Sequence, residues 1–126
     1  MGLFNGIIGN ASQHNNESIE KELQGVLVTN ENVDLAFKLV RDLIVFTDKR
    51  LIIVDKQGVT GKKIEYKSLP YKSISRFSVE TSGHFDLDAE LKIWISSSEL
   101  PAEILHFRKD KNIVAIQQAL ATAILS

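Results

Sequence analysis

The sequence predicts a mainly β domain with some α: seven short antiparallel strands forming a small barrel or sandwich, closed by one C-terminal amphipathic helix. Three observations predict it. Between residues 33 and 107, apolar and polar residues alternate in short runs, with turn signals every ten residues or so. After Asp110, a good N-cap, the period becomes helical and Ile113, Ile116, Leu120 and Ile124 form one apolar stripe through Leu125. Before residue 30 the spacing is also helical, though weaker, which marks an N-terminal helical extension.

In that extension Leu3, Phe4, Ile7 and Ile8 recur at helical spacing. After the polar break SQHNNES, Ile19, Leu23, Val26 and Leu27 do the same, and Asn16, Glu17 and Ser18 favour a helix start between them. The first strand follows, with Val33, Leu35, Phe37 and Leu39 alternating with Asp34, Ala36 and Lys38. LIVFT (43–47), RLIIVD (50–55), KKIEY (62–66) and ISRFSVE (74–80) come next, then FDLDAELKIWI (85–95) and AEILHF (102–107). The division expected is an extension over 1–30 and a β domain over 31–126.

LIVF and LIIV are apolar on both faces, so two layers must cover them. The barrel interior supplies one. The N-terminal segment or a neighbouring subunit must supply the other, which makes Leu43, Val45, Leu51 and Ile53 candidates for an oligomer interface. On 85–95 the odd positions Phe85, Leu87, Ala89, Leu91, Ile93 and Ile95 are apolar and face the core, as do Phe77 and Val79 on the strand before. Odd must then pair with odd. A three-residue loop at Ser82-Gly83-His84 satisfies that parity and sets Arg76 opposite Glu90 and Ser78 opposite Asp88. Trp94 falls on the outer face, either as an interface residue or packed under the Ser96–Pro101 loop.

The chain of 126 residues is 44% hydrophobic and 25% charged, with net charge −1 and a pI near 6.3. That composition suits one globular domain and argues against a surface built for nucleic acid. There is no cysteine, which excludes disulfides, thiolate zinc sites and a thiol nucleophile. No apolar run reaches the length of a membrane span. MGLFNGIIGNAS lacks the basic start of a signal peptide, and Gly6 stands where a myristoylation signal wants Ser or Thr. Cytoplasmic residence, with peripheral membrane contact at most, is the expectation.

Few motifs point to chemistry. DKQGVTGKK (55–63) contains G-x-x-G and ends in G-K-K. Its glycines, Gly58 and Gly61, are too close for a phosphate loop, and Lys63 replaces the hydroxyl that would reach magnesium. The segment runs strand to strand, so neither a helix N-terminus nor a helix pair is there to grip an anion or a nucleic acid. A glycine-containing turn explains it. Asp86, Asp88 and Glu90 share one strand face but are too widely spaced to converge on an ion, so a solvated, salt-bridged face is expected. His14, His84 and His106 show no metal-ligand spacing, and no nucleophile stands near a base. The expectation is no enzyme, no metal and no cofactor.

VRDLIVFTDKRLIIVDKQGVTGKKIEYKSLPYKSISRFSVET (40–81) and its continuation GHFDLDAELKIWI (83–95) resemble the bacterial pleckstrin-homology (PH) domain proteins. The likeness extends from about Glu20 to the C-terminus, with F-T-D-K-R-L and D-K-Q-G-V-T-G-K-K as its most specific blocks. It implies a PH-like barrel of seven antiparallel strands in two orthogonal sheets, capped by the C-terminal helix. It also implies a ring-shaped homo-oligomer, for which Trp94 joins the four interface candidates. In eukaryotic PH domains, anionic headgroups bind at the open end, between the loops joining strands one–two, three–four and six–seven. In this chain those loops lie near Arg41-Asp42, Lys56–Lys62 and Ser96–Pro101, and the candidate anion contacts are Lys38, Arg41, Lys56, Lys62 and Lys63. LIVFT lacks the two basic residues of the lipid signature, and Asp42 and Asp55 dilute the patch, which argues against specific phosphoinositide binding. The function expected is therefore a non-enzymatic module that self-assembles and binds a protein segment or a membrane surface. The alternative is a weak anionic-lipid or phosphate binder using the lysine-rich rim.

Overall fold

The computed structural model describes residues 16–39, 42–57, 63–81, 88–108 and 112–125. Helix α1 (Asn16–Glu22) is followed by strands β1 (Val33–Lys38), β2 (Leu43–Thr47), β3 (Arg50–Gln57) and β4 (Lys63–Pro70). A 3-10 turn (Tyr71–Ser73) leads to β5 (Ile74–Thr81), β6 (Asp88–Ile95) and β7 (Glu103–Arg108), and helix α2 (Asn112–Leu125) ends the chain. All seven expected strands form. They make two antiparallel meanders, β1-β2-β3-β4 and β5-β6-β7, rather than one continuous closed ladder. The chain divides into two compact units, Met1–Leu69 and Pro70–Ser126.

In the first unit the ladder sorts side chains by face. Ala36, Val45 and Ile52 lie in one row, and Leu43 and Val54 in the next. This face is covered by Ile19 and Leu23 of α1, with Val26 and Leu27 packed alongside. The N-terminal segment thus supplies the second layer that LIVF and LIIV required. A shift in register between Val33 and Leu35 brings Val33 and Ala36, of opposite parity, into the same cluster. The sequence pattern placed Ala36 outward with Asp34; it is 5% exposed because the bulge reverses the alternation. Leu35, Phe37, Ile44, Phe46, Leu51 and Ile53 line the opposite face, where the rings of Phe37 and Phe46 meet edge to face at 6.1 Å.

The four interface candidates of β2 and β3 require a correction. Leu43 is 6% exposed, Val45 and Leu51 0%, and Ile53 1%, all within the single chain. The chain covers these strands itself, so they present no surface to a second copy.

In the second unit, Ala89, Leu91 and Ile93 are buried and Phe77 and Val79 pair with Ile93 and Leu91, odd with odd as parity demands. The register differs from the expected one by four residues. Arg76 lies opposite Trp94, Ser78 opposite Lys92 and Thr81 opposite Ala89. The expected three-residue loop at Ser82-Gly83-His84 was chosen on turn chemistry, since parity allows every odd-length connection. Residues 82–87 lie outside the described residues, as does the expected helix cap Asp110. Helix α2 buries Ile113, Ile116, Ala119 and Leu120 and packs near the 3-10 turn.

Candidate functional site

The lysine rim is built by strand ends. Lys38 ends β1, Lys56 lies near the end of β3 and Lys63 opens β4. In an antiparallel meander those positions share one end of the sheet. Lys38 and Lys63 are exposed. Lys56 instead reaches Glu22 of α1 at 3.5 Å, while its backbone N–H donates to Asp42 Oδ1 at 3.2 Å. Next to it Asp55 pairs with Lys67 at 3.4 Å. Arg41 and Lys62 lie outside the described residues. Carboxylates thus interleave the basic positions, as Asp42 and Asp55 foretold. Asp55, Lys56 and Gln57 belong to β3 and Lys63 to β4, so DKQGVTGKK connects two neighbouring strands.

The F-T-D-K-R-L block has a different role from anything its sequence announced. Glu31 is 7% exposed and holds Arg50 through two parallel hydrogen bonds, Nε to Oε2 at 2.9 Å and Nη2 to Oε1 at 2.8 Å. Thr47 Oγ1 donates to Glu31 Oε2 at 2.7 Å and accepts the N–H groups of Lys49 and Arg50 at 3.0 Å. Val28 N–H also donates to Glu31, and Arg50 donates further to the Val26 carbonyl (2.6 Å) and to Ser68 Oγ (2.9 Å). Asp48 completes the corner by accepting the Asn32 N–H at 3.0 Å. Burial raises the Glu31 carboxyl, but the bonds from Arg50, Thr47 and Val28 and the Arg50 charge outweigh it, and its pKa falls from 4.5 to about 2. The cluster is saturated, so it is a clamp between the N-terminal segment and the sheet. A Glu sixteen residues before a Thr has no local signature, which is why sequence reading missed it.

Strand β4 is an edge of its sheet, and residues 63–66 are exposed on both faces. Ile64 and Tyr66, on one face, are 41% and 40% exposed.

On the second sheet, Trp94 is half-buried. Its Nε1 donates to the Glu99 carbonyl at 3.1 Å, so it does pack against the Ser96–Pro101 loop. The Arg76 guanidinium lies 4.1 Å from the centre of its ring. Beside them is a cleft of about 340 Å³ lined by Ser75, Arg76, Ser96, Ser97, Ser98 and Glu99. Farther along the sheet, Glu80 faces Glu90 directly. Lys92 bridges them at 3.0 and 4.0 Å, and His106 Nδ1 stands 3.3 Å from Glu90. Asp88 and Glu90 do sit on a salt-bridged face, with Lys92 in the part expected of Arg76; Asp86 lies outside the described residues. Among the described residues no His, Asp and Glu are grouped to hold a metal ion, and no helix is long and apolar enough to cross a membrane.

Comparison with known proteins agrees with this architecture. Residues 2–124 match the family described as Bacterial PH domain. The chain is 63% identical over 121 residues to YjqA of Bacillus subtilis (strain 168), covering 96% of this chain and 97% of that protein. It superposes on a pleckstrin homology domain from Shewanella amazonensis SB2B with a TM-score of 0.83 and 48% identity, covering 99% of this chain and 100% of that one. A DUF1696 family protein with a pleckstrin-homology domain from Shewanella loihica PV-4 gives 0.70 and 47%, over 91% and 97%. The chain belongs to the bacterial PH-domain family.

Proposed function

We propose that this chain is a non-catalytic binding module that assembles with copies of itself, through the exposed face of β4, into a closed ring. The observation that carries the reading is the pair Ile64 and Tyr66, two residues apart on an edge strand and each about two-fifths exposed. Exposed apolar side chains next to one another mark contact surfaces more often than isolated ones do. Lys63, Glu65 and Lys67 occupy the other side of the same strand and oppose indiscriminate edge pairing. A head-to-tail contact made by one such patch closes into a ring when its rotation divides the circle. A protein segment would bind at the cleft of the second sheet.

Native mass spectrometry tests this. The unmodified chain is expected as a single higher-order species, and Ile64→Lys with Tyr66→Lys is expected to give monomer with an unchanged melting temperature. A monomeric unmodified chain at micromolar concentration would remove the proposal.

A second reading, weak attraction to anionic membranes, is favoured by the exposure of Lys38 and Lys63 at one end of the sheet. Sedimentation with vesicles of increasing phosphatidylserine content tests it. Binding should rise with anionic lipid, fall with salt and drop when Lys38 and Lys63 are replaced by Gln. Binding indifferent to lipid charge ends this reading.

A further inference from the structure

The cleft beside Trp94 has a chemistry that neither the lysine rim nor the β4 face uses. The Arg76 guanidinium carbon sits over the indole, 4.1 Å from the ring centre, a cation–π contact that uses none of the hydrogen-bond donors of the guanidinium. Among the described residues no carboxylate is within ion-pair distance of it, although acidic groups are paired elsewhere on the same sheet. Its neighbours in the cleft are four serines and Glu99. Ser75 donates to the Trp94 carbonyl and Ser98 to the Leu100 carbonyl, whereas Ser96 and Ser97 have no hydrogen-bonded side-chain partner among the described residues. Ser96 also adopts φ 60°, a left-handed conformation that a serine takes at a cost. The indole N–H, by contrast, is committed to Glu99 and holds the loop in place.

We infer that this cleft binds the carboxylate of a partner protein segment, with Arg76 as the fork and Ser96 and Ser97 as supplementary donors. A guanidinium without an ion-pair partner can meet a carboxylate through two parallel hydrogen bonds, and a cation–π contact with Trp94 consumes none of its donors. Glu99 lines the same cleft, so its charge opposes a second negative charge and selects a monoanion over a phosphate dianion. Exposed apolar side chains lie on the same sheet and in the same loop. Ile104, opposite Lys92 and thus diagonal to Trp94, is 46% exposed, and Leu100 in the loop is 76% exposed. Trp and Arg flanked by aliphatic surface is the composition of an interface hot spot. The ligand class is therefore a segment presenting an acidic residue, or its C-terminal carboxylate, next to an apolar side chain.

This inference rests on the reading of the chain as a binding module but not on self-assembly, and the two fail separately. Trp94 is the chain's single tryptophan, so its emission reports on the cleft directly. The full chain is titrated with acetyl-Leu-Asp-amide and with the neutral isostere acetyl-Leu-Asn-amide. The Asp peptide is expected to change Trp94 emission saturably and to bind roughly tenfold or more tightly than the Asn peptide, as one charge-assisted pair predicts. Arg76→Gln should abolish that discrimination, while Arg76→Lys, which keeps charge but loses the fork, should retain a small part of it. Equal response to both peptides in the unmodified chain overturns the inference without recourse to any variant. So does discrimination that survives Arg76→Gln, or saturation by inorganic phosphate at lower concentration than by the Asp peptide. A change in oligomeric mass on Arg76→Gln, read by native mass spectrometry, would reassign the cleft to a contact between copies of the chain and overturn it as well.

Discussion

Glu31 and Arg50 are expected to matter more to stability than the exposed ion pairs, because Glu31 is buried. Their bidentate contact sits where Glu31 has almost no exposure, so removing one partner strands a buried charge. Arg50→Met is expected to cost about 3–5 kcal/mol in urea unfolding, far above a surface ion pair. Glu31 also sets an acid limit. Its folded pKa, about 2, lies below the ordinary 4.5, so the stabilisation is fully present above pH 4.5 and is lost as pH falls towards 2. Glu31→Gln should lower stability at neutral pH and flatten its dependence between pH 4.5 and 2, followed by thermal melts across that window. Asp34 works the other way: burial first, and then the charge of Asp48, raise its pKa, so its ionised form opposes folding. Asp34→Asn should raise the melting temperature slightly at pH 7.

At the scale of elements, α1 is too short to be stable alone; a helix of seven residues persists through its packing. Leu23 is 1% exposed against the face of β2 and β3, and Leu23→Ala is expected to cost about 2–5 kcal/mol in equilibrium denaturation. Lys56 and Glu22, half-exposed partners at 3.5 Å, should contribute little, and Lys56→Gln should leave the melting temperature nearly unchanged. The strands themselves were legible from their alternation, since β-branched and aromatic residues at period two leave few other options. The bulge near Asp34 and the four-residue offset between β5 and β6 were not. Both change pairing without changing composition, and only cross-strand contacts select among registers that keep the same parity.

At the scale of the whole molecule, the exposed features described above lie on an edge strand, at strand ends and in a loop, and among the described residues no His, Asp and Glu are grouped to hold a metal ion. The lysine rim was legible as positions but not as a site, because Lys56 and Asp55 find partners from other elements. Trp94 stood out in the sequence as an anomaly. Its coupling to Arg76 and to the Glu99 carbonyl depends on a register that sequence reading set wrongly, so the cleft beside it was invisible.

The sequence by itself determined the seven strands, the closing helix, the family and the need for a second layer over LIVF and LIIV. Those are consequences of local periodicity and of apolar side chains that cannot face water. Tertiary structure decided which layer that would be. Ile19 and Leu23 reach the sheet before any second copy can, because a tethered segment meets that face at far higher effective concentration than a separate molecule does. It also decided which polar residues became a clamp and which basic residue came to lie over Trp94, since both depend on residues distant in the chain arriving side by side.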